Sequence, residues 1–304
     1  MSNKKVLLSI CIPTYNRPEH IKNQVKDVLK QLTSETKLIV LDNHSQIPVS
    51  TLFSDDDLKK FTLIRHHTNI GGDANNARCL ELVQEGWVWL LGDDDRISPN
   101  AVSTILQLIK SHTDYCFINM CNKQSEYVTN FEGFVNHLKI RGAWGNSFFQ
   151  SACLYNMSKL YKSLFWLYSF LSTQIGQFCI ILKHMELYDD KCFFSDASVI
   201  IDKDGAKWNK LQFIDNTSLV FDRMHYKHSI LRPTLFKSMV DSYLEFLASA
   251  HISLGERVHY FRLVFNKMGF FNVLIFNRLY LCRYFVRRYF PIKIYNYFVK
   301  KIKK

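Results

Sequence analysis

Asp93, Asp94 and Asp95 stand in a row after the apolar run Trp87-Val-Trp-Leu-Leu91 and a single glycine. The run is short, aromatic-rich and bounded by glycine, which predicts a buried strand. Three acidic side chains at its end repel one another unless a cation neutralises them. Hard cations such as Mg2+ or Mn2+ take oxygen ligands, and Mg2+ is commonly held by one or two carboxylates together with substrate phosphates. The chemistry this predicts is a metal–diphosphate site at the C-terminal end of a strand. The same residues also read as a solvated turn capping the following helix, with Asp95 or Ser98 near the cap.

Placing such a cluster requires a scaffold, and the first half of the chain alternates strand-like and helix-like segments. Strands are predicted at Val6–Ile12, Lys37–Leu41, Phe61–Arg65, Trp87–Leu91 and Tyr115–Met120. Helices are predicted at Arg17–Leu32, Asp73–Glu85 and Ser98–Lys110, the last opened by Ser-Pro, with proline in the first turn where it is tolerated. This order implies an α/β fold with a mostly parallel sheet and helices on both faces. Ligands of such sheets bind beyond the C-terminal ends of the strands. Those ends carry Pro13-Thr14-Tyr15-Asn16-Arg17, Asp42-Asn43, Asn69-Ile70-Gly71-Gly72 and the three aspartates, and packing alone does not ask for so many polar loops at one edge. Beyond about Glu126 the alternation weakens. Gly142–Gln150 reads as loop, Leu160–His184 as helix, Phe193–Asp202 as strand, and the chain from about Arg232 as helices.

The chain has 304 residues, 47% of them hydrophobic and 22% charged, a globular composition sufficient for one large domain or two smaller ones. No signal peptide is read at the start, since the apolar stretch Val6–Pro13 is too short. Eight cysteines are scattered without a CxxC pair. That argues against a zinc site or a disulfide framework and for a reducing cytoplasm. Twelve of the 39 Lys and Arg, and none of the 27 Asp and Glu, fall in the last 48 residues, so the rest is formally neutral. The same stretch holds fourteen Phe or Tyr.

The four polar segments together resemble the family-two glycosyltransferases of the GT-A fold. They are Ser9-Ile-Cys-Ile-Pro-Thr-Tyr-Asn-Arg17, Val40-Leu-Asp42-Asn43, Asn69-Ile-Gly71-Gly72-Asp-Ala-Asn75-Asn-Ala77-Arg78 and Leu91-Gly-Asp93-Asp94-Asp95. The resemblance covers roughly the first 125 residues. It implies transfer of a sugar from a nucleotide-diphosphate donor to an acceptor hydroxyl, in surface polysaccharide or lipid-linked glycan synthesis. It divides the chain into a catalytic domain over 1–230, with a donor half to about 125 and an acceptor half after it, and a helical basic-aromatic extension over 231–304. By the same resemblance Pro13, Thr14, Tyr15 and Arg17 wrap the nucleobase, with Tyr15 offering a stacking face. Asp42 accepts a hydrogen bond from the nucleoside; as a bare sequence it also reads, less favourably, as a turn aspartate beside Asn43. Gly71 permits close backbone approach, Asn75 belongs to the same donor-binding segment, and Arg78 reaches ribose or diphosphate. Asp93–Asp95 matches the family's DxD motif. Asp95 would bind Mn2+ or Mg2+ directly, Asp93 the ribose or a metal-bound water, and Asp94 lies between them. His225, in Met224-His225-Tyr-Lys-His228, is a possible third metal ligand. Trp144, Trp166 and Trp208 could line an acceptor pocket, although Trp166 lies in an apolar run that suits a core.

The resemblance weakens at the general base. The family's Glu-Asp pair falls near Ser172-Thr173-Gln174, and Gln174 cannot take a proton. Asp190 is the expected replacement by its separation from the aspartate cluster, with Glu186 and Asp196 behind it; Asp189-Asp190 reads equally as an exposed turn. Two other functions stand beside the transferase: a sugar-nucleotide nucleotidyltransferase, which would want a Gly-rich basic loop that Ile12–Pro18 lacks, and a non-catalytic membrane- or nucleic-acid-binding protein on a transferase scaffold.

The tail combines Lys and Arg with aromatics, a composition for an interfacial anchor on an anionic leaflet. Packed helices are the alternative, and nucleic acid is the least favoured partner. Phe270–Val286 is interrupted by Asn and Arg and is a poor spanning helix. Each basic residue near an anionic leaflet contributes about 1 kcal/mol, so several suffice for reversible attachment. The full chain is expected to co-sediment with anionic vesicles and not with neutral ones, and removal of residues after Tyr284 to abolish this. Equal binding to both vesicle types, or to neither, refutes the electrostatic anchor.

Overall fold

The structure, a computed structural model, describes residues 5–140 and 143–203, with Val220, Ser253, Gly255, Val258 and Arg262 beyond them. Strand–helix repeats open the chain. β1 (Leu8–Thr14) leads into α1 (Pro18–Leu29), β2 (Thr36–Asp42) into a 3-10 turn and α2 (Asp55–Leu58), and β3 (Thr62–Arg65) into α3 (Gly72–Glu81). β4 (Trp87–Leu90) is followed by β5 (Asp95–Ile97), α4 (Ala101–Ser111), β6 (Phe117–Asn119) and β7 (Glu126–Val128). α5 (Phe131–Leu138) and α6 (Ala143–Phe148) precede β8 (Cys153–Asn156). Then come α7 (Met157–Leu160), α8 (Leu164–Ser169), α9 (Gly176–Tyr188), β9 (Cys192–Phe194) and β10 (Ile200–Lys203).

The main sheet has the order β3-β2-β1-β4-β8-β6-β9-β7, and β5 and β10 form a separate two-stranded ribbon. β3, β2, β1 and β4 run parallel, as does β6 with β9. β8 lies antiparallel between β4 and β6, and β7 antiparallel on β9. The sheet is therefore largely parallel in its first half and mixed in its second. The apolar strands alternate between two cores, one on each face. Ile10, Ile12, Trp87 and Trp89 join α1 and α4 in one, while Cys11, Val88 and Leu90 join α3, α5 and α9 in the other. Strands buried on both faces are what helix-covered parallel sheets require. Pro18 opens α1, where its missing N–H costs nothing, and Ile21, Val25 and Val28 bury one helical stripe. Trp89 is fully buried, and its indole N–H is satisfied by the Ser151 carbonyl at 2.8 Å.

Strand direction fixes where the polar loops meet. β1, β2, β3 and β4 end at one edge of the sheet. β8 runs against β4, with Leu154 opposite Trp89 and Asn156 opposite Trp87. It therefore starts at that same edge, which brings Ser151 beside the end of β4.

Several expected boundaries change. Gly142–Gln150, read as loop, contains α6. Leu160–His184 is not one helix. Gln174 adopts a left-handed φ of 64°, and α9 starts only at Gly176. A Cβ at Gly176 would lie 2.9 Å from the Leu167 carbonyl oxygen, so this position brings α9 tight against α8. Phe193–Asp202 divides into β9 and β10, which lie in different sheets. α4 begins at Ala101 with Asn100 at its cap, so Ser98 and Pro99 precede the helix. His225, Trp208, the domain boundary at 230 and all but four residues of the basic-aromatic extension lie outside the described residues, as does the side chain of Trp144. Among the described residues, no helix is long and apolar enough to cross a membrane.

Candidate active site

The loop after β1 reaches across to the aspartates. The Thr14 hydroxyl donates to Asp93 Oδ2 at 2.7 Å, and Arg17 Nη1 donates to Asp93 Oδ1 at 2.9 Å and Asp94 Oδ2 at 2.6 Å. Asn16, at φ 54°, pins this loop to the one after β2: its N–H donates to Ser45 Oγ at 2.9 Å, and its Oδ1 accepts from the Gln46 N–H at 2.7 Å. Pro13 is half-buried, while Tyr15 is exposed at the mouth. A ring held there by a fixed loop presents a face for stacking.

Asp93 and Asp95 are buried, and Asp94 partly so. Burial pushes the Asp93 carboxyl above its ordinary range, although Thr14 and Arg17 pull it down. Asp95 is held by a residue the sequence did not single out. Ser151 Oγ donates to Asp95 Oδ2 at 2.5 Å and accepts from the Gly92 N–H at 2.8 Å. A Cβ at Gly92 would sit 2.8 Å from Asp95 Oδ2, so a side chain there would displace the carboxylate from its place. The solvated-turn reading is overturned. Asp95 opens β5 and pairs with β10, and Ser98 Oγ donates to Asn100 Oδ1 at 3.0 Å rather than capping the helix.

Asp42 lies at the same edge but faces inward. It is fully buried; Oδ1 accepts from the Ser45 N–H at 2.8 Å, and Oδ2 from the Val49 N–H at 3.2 Å and from Arg65. Here the turn reading describes the carboxylate, whose acceptor capacity shapes its own loop, and the expected nucleoside contact is not prepared. Arg65, also bonded to the Ser45 carbonyl at 2.9 Å, is a second residue the sequence did not single out. Asn75 is likewise committed: Nδ2 donates to the Leu41 carbonyl at 3.1 Å, and Oδ1 meets His66 Nε2 at 2.9 Å. Asn43 ties the loop after β3, with Nδ2 on Asn69 Oδ1 at 2.8 Å and Oδ1 on the Ile70 N–H at 2.9 Å. Gly71, at φ 89°, starts α3 with open space where a side chain would stand. Arg78 is not brought to the aspartates. It pairs with Glu81 on the last turn of α3, where Tyr168 also donates to Glu81 at 2.6 Å.

Asp190 is not placed to act as the base. It precedes β9, whose Cys192 is in register with Phe117 at the start of β6, so it lies at the sheet edge opposite the aspartates. Lys159 donates to Oδ1 at 2.7 Å, and His184 Nε2 meets Oδ2 at 3.0 Å. Burial would raise its pKa, but these hydrogen bonds outweigh it and hold the carboxyl well below the usual range. Glu186 is buried and paired with Lys183. Asp196 instead follows β9 at the aspartate edge, exposed, and accepts from Ser125 Oγ at 2.7 Å. Trp166 packs against the core, as its apolar context suggests.

A family model described as glycosyl transferase family 2 matches residues 9–166, just over half of the chain. The chain belongs to the family 2 glycosyltransferases. The matched segment contains the three aspartates and the residues that hold them, Thr14, Arg17 and Ser151. Over 131 residues the chain is 28% identical to the GalNAc(5)-diNAcBac-PP-undecaprenol beta-1,3-glucosyltransferase of Campylobacter jejuni, covering 41% of this chain and 42% of that protein. Over 124 residues it is 24% identical to the abequosyltransferase RfbV of Salmonella typhimurium, covering 39% and 36%. The chain thus spans about two fifths of the length of these relatives. S. aureus TarS 1-349 in complex with UDP superposes with a TM-score of 0.60 at 12% identity, over 86% of this chain and 80% of that one. The mannosyltransferase PcManGT from Pyrobaculum calidifontis, in complex with GDP-Man and Mn2+, gives 0.52 at 13% identity, over 84% and 79%. These likenesses show the GT-A glycosyltransferase fold.

The role of Asp42 is open to measurement. Asp42→Ala leaves Arg65 and two backbone N–H groups without their acceptor and is expected to cost about 3 kcal/mol in denaturant unfolding. The Asp42 carboxyl is held below its ordinary value: burial opposes this, but the Ser45, Val49 and Arg65 hydrogen bonds prevail. Its stabilisation is therefore complete above the unfolded carboxyl's pKa of about 4 and is lost as pH falls through the lower folded value. Wild type should lose stability on acidification below about pH 4 more steeply than Asp42→Asn.

Proposed function

We propose that this chain transfers a sugar from a nucleotide-diphosphate donor to a hydroxyl of a glycan or lipid-linked glycan, in the synthesis of a surface polysaccharide. The observation that carries the reading is the aspartate cluster held at one sheet edge by Thr14, Arg17 and Ser151, inside the segment matched by the family. The Campylobacter relative's name gives it an undecaprenol-linked substrate, which supports a lipid-linked acceptor here.

The donor atoms at the cluster are carboxylate oxygens, the set that suits Mg2+ or Mn2+. Asp93 and Asp95 would hold the ion, with donor phosphates and water beside them. When bound, such an ion neutralises charge on the departing nucleotide diphosphate. The chain's own residues do the rest. Ser151 and Thr14 fix the carboxylates before any ligand arrives, which lowers the reorganisation left for binding. Arg17 is half-exposed and can turn from Asp93 and Asp94 toward a diphosphate without leaving its loop. Tyr15 offers its ring to the base. The first turn of α3, opened by Gly71, presents backbone N–H groups where an anion is favoured. Arg78 reaches the donor only by exchanging Glu81 for it. On the acceptor side Asp196 takes the place expected of Asp190: it is the candidate base, exposed at the correct edge, and transfer through it would proceed with inversion. Attachment of the basic-aromatic tail to the inner face of a membrane would bring this edge near a lipid-linked acceptor.

Asp95→Asn should abolish turnover and weaken Mn2+-dependent nucleotide-diphosphate binding while the circular dichroism spectrum stays native; unchanged turnover refutes the reading. Asp196→Asn should lower kcat by roughly 10²-fold with donor binding retained, and Asp190→Asn should leave kcat within a few-fold of wild type. Donor binding with no turnover on any acceptor would instead favour a non-catalytic scaffold, the reading that Gln174 in place of an acid keeps open.

A further inference from the structure

At the edge opposite the donor loops, a second group of chemistry-bearing side chains converges. Cys116 precedes β6, His184 lies in the last turns of α9, and Asp190 precedes β9. One ligand atom from each lies within 4.8 Å of the others, with Cys116 and His184 buried and Asp190 partly so. Cys192, the first residue of β9, stands beside Cys116 with its Sγ 3.8 Å from Cys116 Sγ; no disulfide links the two, and both thiols also touch Met185 Sδ, at 3.7 Å and 3.3 Å. In a tetrahedral site with Zn–S of about 2.3 Å and Zn–N or Zn–O of about 2.0 Å, ligand atoms stand roughly 3.3 to 3.8 Å apart. His184 Nε2 and Asp190 Oδ2 are at 3.0 Å, and Cys116 Sγ lies within 4.8 Å of both, so a small inward shift would bring the three to that spacing. The outward atoms of both residues are held by other groups. His184 Nδ1 meets Ser163 Oγ at 3.0 Å, and Asp190 Oδ1 accepts from Lys159 at 2.7 Å and from the Lys191 N–H at 2.8 Å. Metal-binding His and carboxylate side chains carry such outer partners, which fix the ring and leave the inner atom for the ion.

We infer that Cys116, His184 and Asp190 form a buried site for a borderline-soft divalent cation, Zn2+ by its chemistry, that ties α9 and the approach to β9 to β6. Thiolate and imidazole ligands select such an ion, whereas the all-oxygen cluster at the other edge selects Mg2+ or Mn2+. The site does not depend on the proposed sugar transfer. Scattered spacing hid it, because the ligands come from segments far apart in the sequence and meet only in the folded chain.

The test uses the full chain, stripped with chelator and titrated with Co2+. The expected result is a thiolate-to-cobalt charge-transfer absorption that saturates at one equivalent. It should persist in Asp95→Asn and vanish in Cys116→Ser. Carboxylates cannot produce this band, so the donor site cannot mimic it. Zn2+ at about 100-fold over its Kd should raise the Tm of wild type by roughly 5 °C or more, and Mn2+ should not reproduce this in Asp95→Asn. Should Cys116→Ser fail to fold, metal analysis of freshly purified wild type decides: about one zinc per chain supports the site, and none overturns it. Absence of the cobalt band in wild type, or its survival in Cys116→Ser, overturns it as well.

Discussion

Mutual repulsion among three adjacent carboxylates is the constraint around which this sheet edge is built. Asp93 and Asp95 are buried where strand β4 ends, an environment that penalises charge. Each is offset differently. Asp93 receives a hydroxyl from the last residue of β1 and shares the Arg17 guanidinium with Asp94, while Asp95 receives a hydroxyl from the turn before β8. Gly92 allows these groups to approach, since any side chain there would enter the space the carboxylate uses. The cluster is thus a meeting point of three loops rather than a property of one motif.

The loops are themselves fixed by a second layer of buried polar groups. Asp42, Asn43 and Asn75 direct their side chains at backbone and neighbouring loops, tying the residues that follow β2 and β3, while Asn16 ties the loop after β1 to the one after β2. Buried polar groups that are fully bonded in this way specify one arrangement more than they add stability. Tyr15, Arg17 and Gly71 then present their chemistry from a frame that is already ordered.

The donor half was legible in the sequence because each of its strands is a short apolar run and each polar segment follows one directly. The parallel order put those segments at one edge without any further information. What a linear reading could not supply was direction and pairing in the second half. Nothing in Cys153–Asn156 announces that it runs against β4, yet that reversal is what delivers Ser151 to Asp95. Asp190 was misplaced for the same reason: an acid just before a parallel strand lies at the far edge, whereas Asp196, just after it, lies at the near one. Asp42 and Arg78 show a different gap. Their positions along the chain follow the family pattern, but whether a side chain faces its own loop or a ligand is settled by neighbours such as Arg65 and Glu81.

The insertion of β8 also bears on what counts as a unit. The strands after residue 125 contribute the wall against which β4 is closed and the hydroxyl that holds the last aspartate. A chain cut between the donor and acceptor halves would leave β4 with an unpaired edge, open to another strand, and would take the Ser151 hydroxyl away from Asp95. The two halves are therefore not modules that could be exchanged between related enzymes at that boundary; the smallest portable piece extends through β8.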